Sequence, residues 1–500
     1  MYPIDFFFRA AKLYPERIAL QSSQRTLNYR SLASKINAIA AALQALDPQP
    51  QTRVAICAAN TVDHATAILA VLAAGKIWVP LNARSTASEI SRITDTIEPS
   101  IIISDAKGAE LIDNRSAIWL RLDDDGDTEP DRRIETLALR YAGQTPRANE
   151  AGEHATQAIK FTGGTTGLPK GVMQPYRAWT AGIINQVSGW QITQDDCFVV
   201  TAPVTHGTST YLLPMLAEGA KLLFLDKTDP VSVIQAFREQ GGTMSFMPPT
   251  LIYMVMAHPG VSRADFPTLR NLIYGGAPMP AEKVDQLRAF FGDVVGTTYG
   301  QTEAPQIVTM MRPSGFKDPL NRGSVGRCTW LSDMAIMAPD GSLLPEGEVG
   351  EVVVQGHLVM AGYWRLPEKT SETIIDGWLH TGDVGLIDER GYLFLKDRIR
   401  DVIITGGFNI YPTDVENALS QHQAVYECAV FGMPDEKWGE AVHAAVQLHP
   451  GVTCEAETLI AHVKHALGSV HAPKKIHFLE QLPRSSVGKV LKTAIRELLH

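Results

Sequence analysis

Short apolar runs alternate with amphipathic helical stripes along most of this chain, and that alternation narrows the available folds more than any other feature. From Tyr29 to Leu46, the residues Leu32, Ile36, Ile39, Leu43 and Leu46 recur at helical spacing. A strand-like run follows at residues 54–58. A helix from about Thr61 should then stop before Gly75, which is placed as a C′ glycine. Apolar runs at 77–80 and 101–104 come next, and the pattern resumes over 199–225 and 272–299. Strands alternating with helices predict βαβ units and a mainly parallel sheet. Beyond Arg322, short β-type runs such as 351–355 and 392–396 are separated by Gly, Pro and Asp turns, and after Asp401 the pattern is compact α+β. The expected class is therefore α/β. A large N-terminal domain (1–398) should hold mixed, mainly parallel sheets wrapped by helices, with a β-rich subdomain at about 322–398. A small mobile α+β domain should occupy 399–500. Residues 123–130 (DDDGDTEP) read as a solvated loop.

Charge and cysteine usage exclude several classes. Lys+Arg 45 against Asp+Glu 54 gives a net charge of −9, which argues against a duplex-binding protein. The five cysteines (Cys57, Cys197, Cys328, Cys428 and Cys454) are scattered and form no CxxC pair, so neither a disulfide framework nor a zinc site is expected. The N-terminal Phe6–Phe8 run is broken by Arg9 and lacks a signal-peptide pattern. No stretch reaches the roughly 18 uninterrupted apolar residues of a membrane span. A cytoplasmic enzyme is the expectation.

The densest chemical signal is Phe161-Thr-Gly-Gly-Thr-Thr-Gly-Leu-Pro-Lys170-Gly171. Gly163, Gly164 and Gly167 let backbone N–H groups converge. Thr162, Thr165 and Thr166 add hydroxyl donors, and Lys170 adds a point charge. Together they form a phosphate cradle. It is not a Walker A loop, because five residues on from Gly163 or Gly164 stand Leu168 and Pro169. The run Tyr299-Gly300-Gln301-Thr302-Glu303 places a carboxylate at a strand end, where it can hold Mg²⁺ on phosphate oxygens, with a tyrosine able to stack on a base. Tyr274-Gly275-Gly276-Ala277-Pro278 would let a flat ring approach the backbone. Asp383, in Trp378-Leu-His-Thr-Gly-Asp383, suits ribose hydroxyls with Arg398 nearby. Pro483-Arg-Ser-Ser-Val-Gly-Lys489 sets a lysine in a basic stretch, where the last 30 residues hold six Lys/Arg against Glu480 and Glu497.

In this order, the motifs resemble those of the adenylate-forming superfamily of acyl-CoA synthetases, non-ribosomal adenylation domains and beetle luciferases, across essentially the whole chain. FTGGTTGLPKG is similar to its phosphate loop, YGQTE to its metal motif, and TGD with DRIRD to its ribose and hinge motifs. Residues 405–412 (TGGFNIYP) resemble its C-domain loop, and PRSSVGK its catalytic-lysine motif. Two positions depart: Gly163 replaces a common Ser, and Arg400 stands at a hinge that tends to be Asp or Lys.

The resemblance implies that a carboxylate attacks the α-phosphorus of ATP to give acyl-AMP, after which a thiol displaces AMP. Lys489 would bridge the carboxylate and the α-phosphate, Thr302 would contact phosphate, and Glu303 would hold Mg²⁺. Tyr299 and Gly275–Pro278 would enclose adenine, with Gly300 and Gln301 beside it, and Asp383 and Arg398 would bind ribose. Rotation about Arg400 would exchange Lys489 for Gly406, Gly407 and Phe408 at a pantetheine tunnel. Trp438 either stacks on the CoA adenine or is a packed surface aromatic, and Lys474 would meet CoA phosphates. His206 resembles the residue gating acyl pockets, with Trp179, Phe246, Tyr274 and Gln306 as further walls.

No Asp or Glu lies between Thr201 and Ala217, so an α-ammonium would go unpaired and amino acids are disfavoured. An aromatic or medium-chain fatty acid fits apolar walls; a dicarboxylate would want a further cation. With the chain closing soon after Lys489, free CoA is the expected acceptor. A separate carrier protein, a luciferase-like oxygenation and an inactive homologue are the alternatives, and a homodimer is compatible with the resemblance.

Overall fold

The computed structural model describes residues 1–113, 116–123, 128–162, 169–277, 279–484 and 490–499. The helix Tyr29–Leu46 starts where Asn28 accepts a hydrogen bond from the Ser31 amide, and it buries Leu32, Ile36, Ile39 and Leu43. Burying side chains of this size stabilises a fold by about 1.5–3 kcal/mol each, which is why the stripe rather than helix propensity fixes the element. Thr61 caps Val62–Ala73 through the His64 amide, and Gly75 follows with φ +68°. The expected strands appear as Arg53–Cys57, Ile77–Leu81 and Ile101–Ser104, each almost wholly buried as parallel strands are.

Three sheets organise these elements. One has seven strands, in the order Gly362–Tyr363, Lys170–Pro175, Thr156–Thr162, Ile77–Leu81, Arg53–Cys57, Ile101–Ser104 and Ile118–Arg121. Its strand Thr156–Thr162 leads toward the glycine-rich run and pairs antiparallel with Lys170–Pro175, so that Thr162 lies opposite Lys170. A fourteen-stranded sheet has a parallel half containing Cys197–Val200, Met244–Met247, Asn271–Tyr274 and Val295–Tyr299. The β-rich stretch beyond Arg322 continues this sheet as an antiparallel half: Thr309–Met311 joins Val295–Tyr299 to Gly326–Cys328, and through that strand to Tyr392–Arg398 and Trp378–Ile387. A five-stranded sheet built on Val425–Asp435 and Gly439–Leu448 forms the C-terminal unit. Residues Ile399–Asp401 link it to the strand Tyr392–Arg398 as a single 3₁₀ turn containing Arg400.

This topology brings distant motifs together. Tyr274 and Tyr299 end adjacent parallel strands, so residues 275–277 and 300–303 emerge at the same carboxyl edge, where open α/β sheets bind ligands. Among the described residues, no helix is long and apolar enough to cross a membrane.

Candidate active site

The strand pair Trp378–Ile387 and Tyr392–Arg398 sets Asp383 directly opposite Arg398. Arg398 Nε lies 2.6 Å from Asp383 Oδ1, and Tyr299 Oη donates to Asp383 Oδ2 at 2.5 Å. Gln301 Nε2 donates to the same Oδ2 and, at 2.9 Å, to the Thr381 carbonyl. Asp383 is 7% exposed. A carboxylate has about four lone-pair sites, so three protein donors leave one open to a further donor. Burial, and then the adjacent Asp383 charge, hold Tyr299 well above the ordinary phenol range, so it remains a donor. The turn itself is held from below: Glu351 Oε1 accepts from the Gly382 amide at 2.9 Å while Oε2 meets His380 Nδ1 at 2.8 Å.

Residues 299–303 form a tight turn in which the Gln301 amide donates to the Ala304 carbonyl at 3.1 Å. Gly300 is required there, because a Cβ would lie 2.9 Å from the Gln306 Cα. Tyr363 Oη donates to Glu303 Oε1 at 2.9 Å, and Lys170 Nζ sits 4.3 Å from the centre of the Tyr363 ring. Glu303 Oε2 has no partner among the described residues. One open carboxylate oxygen suits Mg²⁺, which keeps most of its shell as water and phosphate oxygen; the lysine across the Tyr363 ring suits an anion instead. Gln174 Nε2 donates to the Thr302 carbonyl at 2.9 Å while its Oε1 accepts from Trp179 Nε1 at 3.2 Å, tying the turn to the helix Tyr176–Trp190.

That helix forms one wall of a small apolar cavity. Trp179 and Gly182 line it on this side, and Thr210, Leu213 and Gln306 line it opposite. Of the five expected wall residues, Trp179 and Gln306 line it directly. Phe246 stacks on Tyr211 at 5.4 Å and underlies Gly207, and His206 sits in the turn entering the helix Ser209–Ala217. Tyr274 is a correction: it is not a wall of this cavity. Phe246 pairs with Ile273, so strand alternation points Tyr274 to the opposite sheet face, where its ring stacks on Phe316 at 6.4 Å.

In the C-terminal unit, Gly406 adopts φ +55° and donates its amide to the Trp438 carbonyl at 2.8 Å; a Cβ there would lie 2.8 Å from the indole. Lys437 and Lys474 lie 4.7 and 5.9 Å from the Trp438 ring, and Phe408 is 58% exposed alongside Gly407. The expected CoA-binding residues thus share one cationic, aromatic surface. Arg484, paired with Glu427 within the unit, ties it to the large domain by donating to Thr250 Oγ1 at 3.1 Å.

Gly163, Gly164, Thr165, Thr166, Gly167, Pro278 and Lys489 lie outside the described residues. Sequence reasoning missed Gln174, Glu351, Tyr363 and Lys160, which lie outside any motif; only the coordinates bring them to the site.

Models of known families match both parts of the chain: AMP-binding enzyme over residues 7–364 and AMP-binding enzyme C-terminal domain over residues 414–489. The chain is 32% identical to a feruloyl-CoA synthase of Amycolatopsis sp, with 98% of this chain and 97% of that one covered. It is 30% identical to an indoleacetate–CoA ligase of Aromatoleum aromaticum, covering 99% and 98%. The solved amide bond synthetase McbA of Marinactinospora thermotolerans superposes with a TM-score of 0.90 at 29% identity, with both chains fully covered. The chain belongs to the adenylate-forming AMP-binding enzymes and is an AMP-forming acid–thiol ligase.

Proposed function

We propose that this enzyme activates an aromatic or medium-chain carboxylic acid as its acyl-adenylate and transfers the acyl group to coenzyme A. The observation that carries the reading is that residues 299–303 belong at once to the Asp383–Arg398–Tyr299–Gln301 cluster and to the Glu303–Tyr363–Lys170 group, and are tied through Gln174 to Trp179 in the wall of an apolar cavity. In the first step an acid oxygen bonds to the α-phosphorus as the bond to pyrophosphate breaks. Negative charge grows on phosphoryl oxygens, so positioned donors and cations lower the barrier. Lys170 and the threonines of residues 162–166 grip the β- and γ-phosphates, Thr302 contacts phosphate, and Lys489 bridges acid and α-phosphate. Mg²⁺ held at Glu303 would neutralise phosphate charge. Asp383 and Arg398 orient the ribose. In the second step the CoA sulfur bonds to the acyl carbon and AMP departs with the electron pair.

The two jobs need different groups at one reacting centre, which is why Lys489 sits on a small unit able to turn about Arg400. The grouping of Gly406, Trp438 and Lys474 favours a CoA thiol over an amine acceptor. Aromatic relatives and an apolar cavity support an arylcarboxylate in preference to acetate. Burial pushes the thiol of Cys57 up to about 12 and that of Cys197 to about 11, so both are poor nucleophiles.

The test is AMP release from ATP across benzoates, cinnamates and saturated fatty acids of graded length, with and without CoA. Release that needs one acid class and CoA together is expected. Turnover unaffected by CoA would move the acceptor to a carrier protein, and silence with every acid would end the reading.

A further inference from the structure

Lys160 lies on the strand Thr156–Thr162, two residues before Thr162 and on the same face. It is only 6% exposed, and no carboxylate pairs with it among the described residues. An isolated buried ammonium is costly unless its surroundings replace water. Here they do. Nζ donates to Ser209 Oγ at 2.6 Å and reaches the His206 carbonyl at 3.5 Å. Ser209 Oγ donates its own hydrogen bond to that carbonyl at 2.5 Å, so its oxygen is left to accept from the lysine. The indole rings of Trp78 and Trp179 stand 5.2 and 5.3 Å from Nζ, presenting the negative faces of their π-systems. Each of these four groups presents negative charge or a lone pair to Nζ. Burial lowers the lysine to about 7.

The partners belong to the two sides of the cavity. Trp179 lines it from the helix Tyr176–Trp190. Ser209 opens the helix Ser209–Ala217, whose Thr210 and Leu213 line the facing side, and His206 lies in the turn before it. Acyl pockets hold their ligand by fixed apolar walls and a few placed polar groups, so a group that sets the spacing of two walls sets what fits between them. Among the described residues no hydrogen bond runs from Nζ to the group formed by Lys170, Tyr363 and Glu303.

We propose that Lys160 is a positioning residue for the acid substrate: its bond to Ser209 and its contact with Trp179 fix the His206–Ser209 turn and the opposing wall of the acyl cavity. The proposal rests on the reading that this cavity receives the acyl group.

Initial rates with the best acid of the panel test it. Lys160→Met keeps length and removes the donor; it should raise KM for the acid at least tenfold while KM for ATP and kcat stay within twofold. Lys160→Gln, an uncharged donor, should recover much of that loss. Should Lys160→Met fail to fold, Ser209→Ala carries the test, with an expected several-fold rise in acid KM alone. His206→Ala separates the two levels of the argument. If it leaves acid KM unchanged, the cavity assignment fails, and the proposal with it. If it raises acid KM while the variants at Lys160 and Ser209 do not, or while those variants move ATP and acid KM equally, the proposal alone is overturned.

Discussion

Tyr299→Phe separates two roles for one ring. If the tyrosine serves the nucleotide by stacking on adenine, phenylalanine preserves the contact and KM for ATP is unchanged. The structure instead commits its hydroxyl to Asp383 Oδ2 at 2.5 Å in a buried site. A hydrogen bond to a charged group contributes about 1.5–3 kcal/mol, and its removal leaves a carboxylate oxygen with one donor fewer in a dry environment. Gln301 and Arg398 still hold the group, so only part of that energy should reach the ribose. We expect about 1.4 kcal/mol, a tenfold rise in KM for ATP, with KM for the acid unchanged. Pyrophosphate exchange into ATP reports the first step alone and is the assay of choice. An ATP KM within twofold of wild type, with unaltered thermal stability, would refute the argument that this hydroxyl orients the ribose-binding carboxylate. The sign of the pH effect follows as well. A phenol whose folded pKa is raised contributes stability below about 10 that is lost as pH rises past its unfolded value, and Tyr299→Phe should flatten that alkaline loss.

Other perturbations divide the two half-reactions. Lys489→Ala should abolish acyl-adenylate formation, by on the order of 3–4 kcal/mol, yet largely spare thioester formation from supplied acyl-AMP; equal loss in both would contradict its placement. Trp438→Ala should raise KM for CoA several-fold and leave pyrophosphate exchange intact, read by running both assays on one preparation. Glu351→Ala removes the acceptor of the Gly382 amide and should weaken ATP binding through Asp383 without touching acid KM, checked by the same kinetics. In the small domain, His443 and His477 lie 3.1 Å apart, and burial, then their neighbours' positive charge, depresses both below the usual imidazole value. Their contribution to stability is complete above about 6.5 and lost as pH falls through that value toward the lower folded pKa values, because the unfolded chain then binds the extra protons. Replacing both by Gln should shrink the acid loss in a melting-temperature series from pH 7.5 to 5.

What was legible in the sequence divides by range. The helix Tyr29–Leu46 and the strand Ile101–Ser104 are encoded by neighbours in the chain, through period, cap and apolar run, and they appear where those signals put them. The nucleotide motifs were legible as types because glycine, carboxylate and arginine at those spacings suit phosphate and ribose. Their joining was not. Tyr299 and Asp383 meet across 84 residues, and only the antiparallel continuation of the large sheet makes them touch. The misplacement of Tyr274 has the same origin: an aromatic beside Gly275 and Gly276 suggests a ligand wall, but which sheet face it takes depends on register with Met244–Met247. Lys160 is the hardest case. In the sequence it stands just before the glycine-rich run, in no motif. Its burial is tolerable only because Trp78, Trp179 and Ser209 converge on it from three separate elements. A charge that the chain can bury only by assembling both sides of a cavity cannot be neutral to the shape of that cavity, so the acid KM should depend on Lys160 as well as on the residues that line the cavity.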